Sequence, residues 1–272
     1  MRLRNVWASA LGLALAGSLV ACGGSKETSS TSAEPGAPAG TPAGQKVDTA
    51  TAGDVKGSVT VDGTVPKNEP IKMNADPVCM RENKSPQFQE TYMVGSDGKS
   101  LQNAFVYVKD GLGNYVYDTP TDSVTIDQKE CRYHPHVFGM RVGQKLVILN
   151  SDPTLHNIHA LPKANAEFNV GEPVQGMKQE KVFTAKEVMV PFKCDVHGWM
   201  NAYAGVLDHP YYAVSDKDGK FELKSLPPGT YTIEAWHEKL GRQEQKVTIG
   251  EKESKDIAFT FKAPPETAAA SD

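Results

Sequence analysis

The sequence predicts an all-β fold, and three observations carry that reading. Short runs alternate or cluster β-branched and aromatic residues; Gly, Asp, Asn or Pro separates the runs; and no stretch sustains the 3.6-residue apolar period of an amphipathic helix. In chain order the runs are VKGSVTVDG from Val55, NAFVYV from Asn103, KLVIL from Lys145, KVFTA from Lys181 and EVMVPF from Glu187. After these come YYAVS from Tyr211, KFELK from Lys220, TYTIEAW from Thr230, QKVTI from Gln245 and DIAFTF from Asp256. Asp218-Gly219 marks a hairpin turn between YYAVS and KFELK, and Pro227-Pro228-Gly229 marks a second reversal. AKEV and HEKLG are each long enough for one helical turn and no more.

Ahead of the first run, residues 1–21 carry two arginines, an apolar stretch of secretory length and a small-residue end before Cys22. That pattern predicts an export signal and not a spanning helix. Leu19-Val20-Ala21-Cys22 resembles the bacterial lipobox, which implies acylation of Cys22 and a lipid anchor to the bacterial membrane, in the periplasm or at the cell surface. Residues 22–52 are then the lipidated cysteine and a Gly-, Ala-, Pro-, Ser- and Thr-rich tether, expected to be disordered with a reach of roughly 30 Å. Residues 263–272 are expected to form a disordered tail. Loss of Arg2 and Arg4 with the signal takes the formal charge from −4 to −6. Without a basic stripe or aromatic platform, nucleic acid is not an expected partner, and the mild acidity weakly favours basic ones.

The richest chemistry lies in Cys194 to Met200, CDVHGWM, which puts a thiol, an imidazole and a thioether in one turn-sized loop. His156 supplies a second imidazole 38 residues upstream of Cys194. A soft sulfur, two borderline nitrogens and a weak thioether suit an ion that alternates between Cu(I) and Cu(II). Zinc in a closed tetrahedral site is the other metal this donor set allows, and buried packing without any metal is the third reading.

The segment CRYHPHVFGMRVGQKLVILNSDPTLHNIH, taken with CDVHGWM, is similar to the cupredoxins, the blue copper family of plastocyanin and azurin. The resemblance covers residues 123–208 and implies a Greek-key β-sandwich holding one copper ion. It assigns His156, Cys194 and His197 as ligands, Met200 as a weak axial ligand, and Asn157 as the residue behind them that ties the two ligand loops together. His197 and Met200 stand as His-x2-Met, where many cupredoxins have His-x4-Met. The shorter spacing is that of binuclear copper centres, but those need a second cysteine that this loop lacks. The implied role is one-electron transfer to a redox partner such as a cytochrome or an oxidase. Copper storage or delivery, and a non-redox scaffold, are the competing roles.

With Cys22 assigned to lipid and Cys194 to metal, Cys79 and Cys131 remain as the expected disulfide of an oxidising compartment, provided their α-carbons come within about 7 Å.

In residues 209–262, DGKFELKSLPPGTYTIEA resembles the carboxypeptidase regulatory-like domain, a prealbumin-type β-sandwich, and so implies a smaller β module whose ligand would be a carbohydrate or a protein. That stretch is too short to bury a full core alone. The family's usual opening strand has its counterpart in GDVKGSVTVDG at Gly53 to Gly63. Residues 53–122 are therefore either an N-terminal β extension, or part of one sandwich into which the copper domain is inserted.

Several other residues attract attention without demanding a function. His134 and His136 flank Pro135 and are expected to form a solvent-facing pair, while His159, three residues after His156, should point to the opposite face of its strand. His237 is expected to cap a loop end beside an inward Trp236, and Asp216 and Asp218 to serve their turn. No nucleophile elbow, paired carboxylate motif or phosphate-binding glycine loop is present, so no enzyme is expected.

Overall fold

Alternating burial along GDVKGSVTVD, with Val55, Val59 and Val61 inward, sets the pattern that recurs through the computed structural model, which describes residues 44–265. The export signal, Cys22 and most of the tether and tail lie outside the described residues. The first elements are β1 (Gly53–Asp62), the helix α1 (Pro77–Glu82), β2 (Phe105–Asp110), β3 (Val124–Lys129), β4 (Arg132–His134), β5 (Val137–Arg141), β6 (Lys145–Asn150), β7 (His156–Ala160) and β8 (Phe168–Glu172). They continue with β9 (Lys178–Val182), β10 (Glu187–Lys193), β11 (Asn201–Leu207), β12 (Tyr212–Val214), β13 (Lys220–Leu226), β14 (Gly229–His237), β15 (Gly241–Ile249) and β16 (Ser254–Lys262). The expected all-β class holds.

The strands make four sheets in two pairs. Residues 124–207 supply the orders β4-β3-β6-β9 and β5-β11-β10-β7-β8, whose inner faces bury Ile126, Tyr133, Leu146, Ile148, Phe183 and Phe192. The flanking segments supply β13-β1-β16 and β12-β2-β14-β15 around Val59, Val106, Leu223, Ile233, Phe259 and Phe261. Within this second pair β1 runs parallel to β16, in register from Asp54 opposite Ser254 to Asp62 opposite Lys262, and antiparallel to β13. Parallel neighbours need a long crossover. Here it is the intervening chain, so segments before and after residues 123–208 build one sandwich together.

The two sandwiches meet through Phe105, Tyr107, Val137, Met189 and Leu207. On the floor of that contact Gly139 of β5 pairs with Gly205 of β11, leaving room for the stacked rings of Phe105 and Tyr212.

Two expectations need correction. The sequence shows no helical period, yet Pro77–Glu82 is a helix, because Asp76 accepts from the backbone N–H of Val78 (2.7 Å) and Cys79 (3.3 Å) and Pro77 opens the first turn. Six residues are too few for a period to register. The end of the expected tether is also not free: Gln45 N–H donates to Asn114 O, Val116 N–H to Gln45 O and Lys252 N–H to Thr51 O. Main-chain pairing of this kind is blind to the small, polar composition that predicts disorder.

Candidate metal centre

Two loops deliver the donors. Between β6 and β7 the Asn150 side chain donates to Thr154 O (2.9 Å) and Glu172 O (2.7 Å) and accepts from Asp152 N–H (3.0 Å), which folds NSDPTL into a tight bend that releases His156 as the first residue of β7. Between β10 and β11, Cys194 N–H donates to Met200 O (3.1 Å) and Met200 N–H to His197 O (2.9 Å), closing CDVHGWM on itself. His197 N–H donates to Cys194 Sγ at 3.2 Å. Asn157 joins the two loops, its Oδ1 accepting from Asp195 N–H at 2.5 Å.

One donor atom each from His156, Cys194 and His197 lies within 4.8 Å of the others, and all three side chains are buried. The Nδ1 atoms of the two histidines face each other at 2.9 Å, with Cys194 Sγ 3.9 Å from that of His197. Each ring is held from behind by a carboxylate: His156 Nε2 lies 2.8 Å from Asp152 Oδ2, and His197 Nε2 lies 3.0 Å from Asp76 Oδ2. A carboxylate accepts only, so it draws the ring proton to Nε2 and leaves Nδ1 as a lone pair. The two Nδ1 atoms and the sulfur then converge on one point, where a shared proton between the rings, or a cation in its place, offsets their mutual repulsion. The donor set fits copper.

The electrostatics describe the site without an ion. Burial alone would push the Cys194 thiol up, but hydrogen bonds with His156, His197 and the backbone bring it down to about 6, giving thiolate at neutral pH. For His156, burial works against the charged ring and is outweighed by Asp152 and Cys194, which raise it to about 9, so without an ion the ring keeps a proton on Nδ1 as well at neutral pH and an entering cation would displace it. Asp152 and Asp76 each sit below the ordinary carboxylate value despite burial, held there for Asp152 first by His156 and for Asp76 first by Thr154 and the N–H of Val78.

The remaining residues singled out from the sequence fall as follows. Met200 is buried in the same apolar cluster as Cys194. Cys79 and Cys131 form a disulfide with α-carbons 5.6 Å apart. Cys194 is the free cysteine of the described residues. His159 lies outside the donor cluster, between Asp195 (2.9 Å) and Glu167 (2.8 Å). His134 and His136 are not the expected solvent-facing pair: His136 is only 7% exposed and is fixed by Asn201 O (3.1 Å) and Glu238 (2.6 Å). The carboxylate of Glu238, itself buried and brought over by the β14–β15 turn, offsets the cost of that burial. His237 caps its turn, Nδ1 accepting from Lys239 and Leu240 N–H, and Asp216 Oδ1 accepts from Asp218 and Lys220 N–H within its own turn.

Sequence reasoning missed Asp152, Asp76 and Trp199. Trp199 donates from Nε1 to Cys131 O at 2.9 Å and packs its ring 5.0 Å from that of His197. Asp152 had a local signal, four residues before His156 in NSDPTLH. Asp76 had none, being 121 residues from the ring it holds.

No family model and no curated protein matches the chain. Among solved structures, a Cu-containing nitrite reductase from Thermus scotoductus SA-01 is 16% identical over 35% of this chain, with a TM-score of 0.31. The alignment spans only 24% of that enzyme. A purple cupredoxin from Nitrosopumilus maritimus is 21% identical over 31% of this chain and 99% of its own, with a TM-score of 0.27. An amicyanin variant in its Cu(I) form is 15% identical over 37% of this chain and 97% of its own, at 0.28.

Proposed function

We propose that the protein is a lipid-anchored, extracytoplasmic copper protein that passes single electrons between partners at a membrane. One observation carries the reading: the Nδ1 atoms of His156 and His197 and the sulfur of Cys194 converge in a buried pocket while carboxylates occupy the outer nitrogens of both rings. When bound, a copper ion supplies a reversible one-electron couple. The chain's own contribution is constraint. Asn157 fixes the spacing of the loops, Asp152 and Asp76 fix the ring orientations, and the short bonds of CDVHGWM hold Cys194 and His197 in one arrangement. A site that cannot rearrange presents nearly the same donors to both oxidation states, which lowers the reorganisation that accompanies electron transfer. Met200, buried in the same apolar cluster as Cys194, would offer a weak fourth donor in this reading.

Burial of His156, Cys194, His197 and Met200 to 3% exposure or less disfavours copper delivery, for which an accessible, exchangeable site is needed. The sandwich of β1, β2 and β12–β16 serves as a carboxypeptidase regulatory-like module that stiffens the copper domain, and Cys22 is the acylated residue. A cytochrome or oxidase with a basic face is the partner class that suits the charge of −6 expected once the signal is removed.

The test is to add Cu(II) to the chain from residue 23 onward and record its visible absorption and EPR spectra beside those of Cys194→Ser. An intense thiolate-to-copper band, abolished in the variant, is expected. A colourless Cu(I)-only complex or no binding overturns the electron-transfer reading.

A further inference from the structure

The Cys79–Cys131 bridge ties α1 to the β3–β4 turn and lies directly behind both histidines. Cys79 Sγ is 3.7 Å from His197 Nε2, and a donor atom of Asp76 joins these two within 4.8 Å. On the other side, Cys131 Sγ falls within the same limit of Asp152 and His156, and Cys131 N–H donates to Asp152 Oδ2 at 2.7 Å. The two carboxylates that steady the histidines therefore also flank the two sulfurs. Both cysteines are fully buried, in an apolar patch with Met73, Ile71 and Trp199. Cys79 sits on α1, a six-residue helix held at its edges by Thr154 and His197 on Asp76 (3.0 Å each) and by Asn83 on Glu130 O (3.0 Å), so local opening of this short element is the route a reductant would need.

We propose that reduction of this disulfide creates a second metal site, a two-thiolate seat for a monovalent soft ion of the Cu(I) class, beside the His156–Cys194–His197 centre. A dithiol reductant supplies the two electrons and two protons: the Cys79–Cys131 bond breaks, two thiols form, and the reductant becomes a disulfide. Each protein thiol gives its proton to solvent as the ion enters. Thiolates are the ligands that select Cu(I), and a buried pair already adjacent needs little rearrangement to share one ion. His197 borders the pair, its Nε2 lying 3.7 Å from Cys79 Sγ while its hydrogen bond goes to Asp76. The state of the bridge thus sets how many soft ions the protein carries, and the second seat does not require the first to be filled.

The full chain carrying Cys22→Ser, extracted in detergent, gives an unambiguous thiol count. It is loaded anaerobically with Ag(I) as the Cu(I) probe, before and after treatment with a trialkylphosphine, and the bound metal is measured after gel filtration. One ion per chain is expected for the oxidised protein and two for the reduced protein, with circular dichroism unchanged. In Cys194→Ser the expected counts fall to none and one, and in Cys79→Ser/Cys131→Ser the count stays at one under both conditions. A reduced protein that still binds one ion, a bridge that resists reduction in the folded chain, or a reduced chain that unfolds overturns the proposal. If the oxidised protein binds no ion while the reduced one binds one, the second seat stands and the electron-transfer reading falls.

Discussion

Much of the candidate centre at His156 and His197 lies behind the rings and not in the converging donors alone. A neutral imidazole has two tautomers, and only the one protonated at Nε2 presents Nδ1 to an ion; Asp152 and Asp76 make that choice by accepting from Nε2. Replacing Asp152 by Asn removes the charge while keeping the shape, so Asp152→Asn is expected to weaken copper binding by about 10- to 100-fold. Competition against a chromophoric chelator measures this, and unchanged affinity contradicts the orienting role. Asp76→Asn should cost less, because Asp76 keeps 17% side-chain exposure against 5% for Asp152 and water can replace part of its bond. The convergence of Cys194, His197 and His156 was legible in the sequence because a candidate donor set is written in residue type and short spacing. The carboxylates were not, because an aspartate near a histidine in space leaves no trace in spacing when a separate loop supplies it.

At the scale of elements, the decisive feature is the glycine pair where β5 and β11 pass under β2 and β12. A Cβ on Gly205 would stand 2.1 Å from the Phe105 ring, and one on Gly139 would stand 2.2 Å from Tyr212. Phe105 is fully buried between the sandwiches and has no space to retreat. Gly205→Ala is therefore expected to destabilise the protein by about 1–3 kcal/mol through overpacking. Chemical denaturation checks this as a lower midpoint with an unchanged slope, and a wild-type midpoint would show that the rings adapt. The strands that alternate cleanly, such as β1, β14 and β16, were readable because one face is buried and the other wet. β9, KQEKV, and β11, NAYAGVL, were not, since the first carries charge along an edge and the second buries small residues that signal neither period. The segment KVFTA illustrates the same limit, because β9 ends at Val182 and Phe183 turns into the core beyond it.

Across the whole molecule, two histidines far from the metal centre couple stability to pH. Burial lowers both His209 and His237 to about 4, against 6.5 for an exposed ring. Each is neutral in the folded chain where the unfolded chain takes up a proton, so stability rises with pH between 4 and 6.5 and is lost as pH falls through that window. The slope is up to about 1.4 kcal/mol per pH unit for each residue. His156, raised to about 9, titrates above this window and does not mask it. Urea midpoints of the metal-free protein at pH 4.5, 5.5 and 6.5 should decline accordingly, and His209→Gln should flatten the dependence by about half; a flat wild-type profile would refute the assignment. The all-β class and the candidate donor set were readable from the chain's own order of residues, because strand alternation and the spacing within CDVHGWM are local properties. Tertiary structure alone decided that β1 lies against β16, that Asp76 reaches His197, and that the disulfide sits behind both rings. Each of these joins parts of the chain about 50 to 200 residues apart, and only the pairing of strands across the long crossover and the packing of loops against them bring such distant groups together.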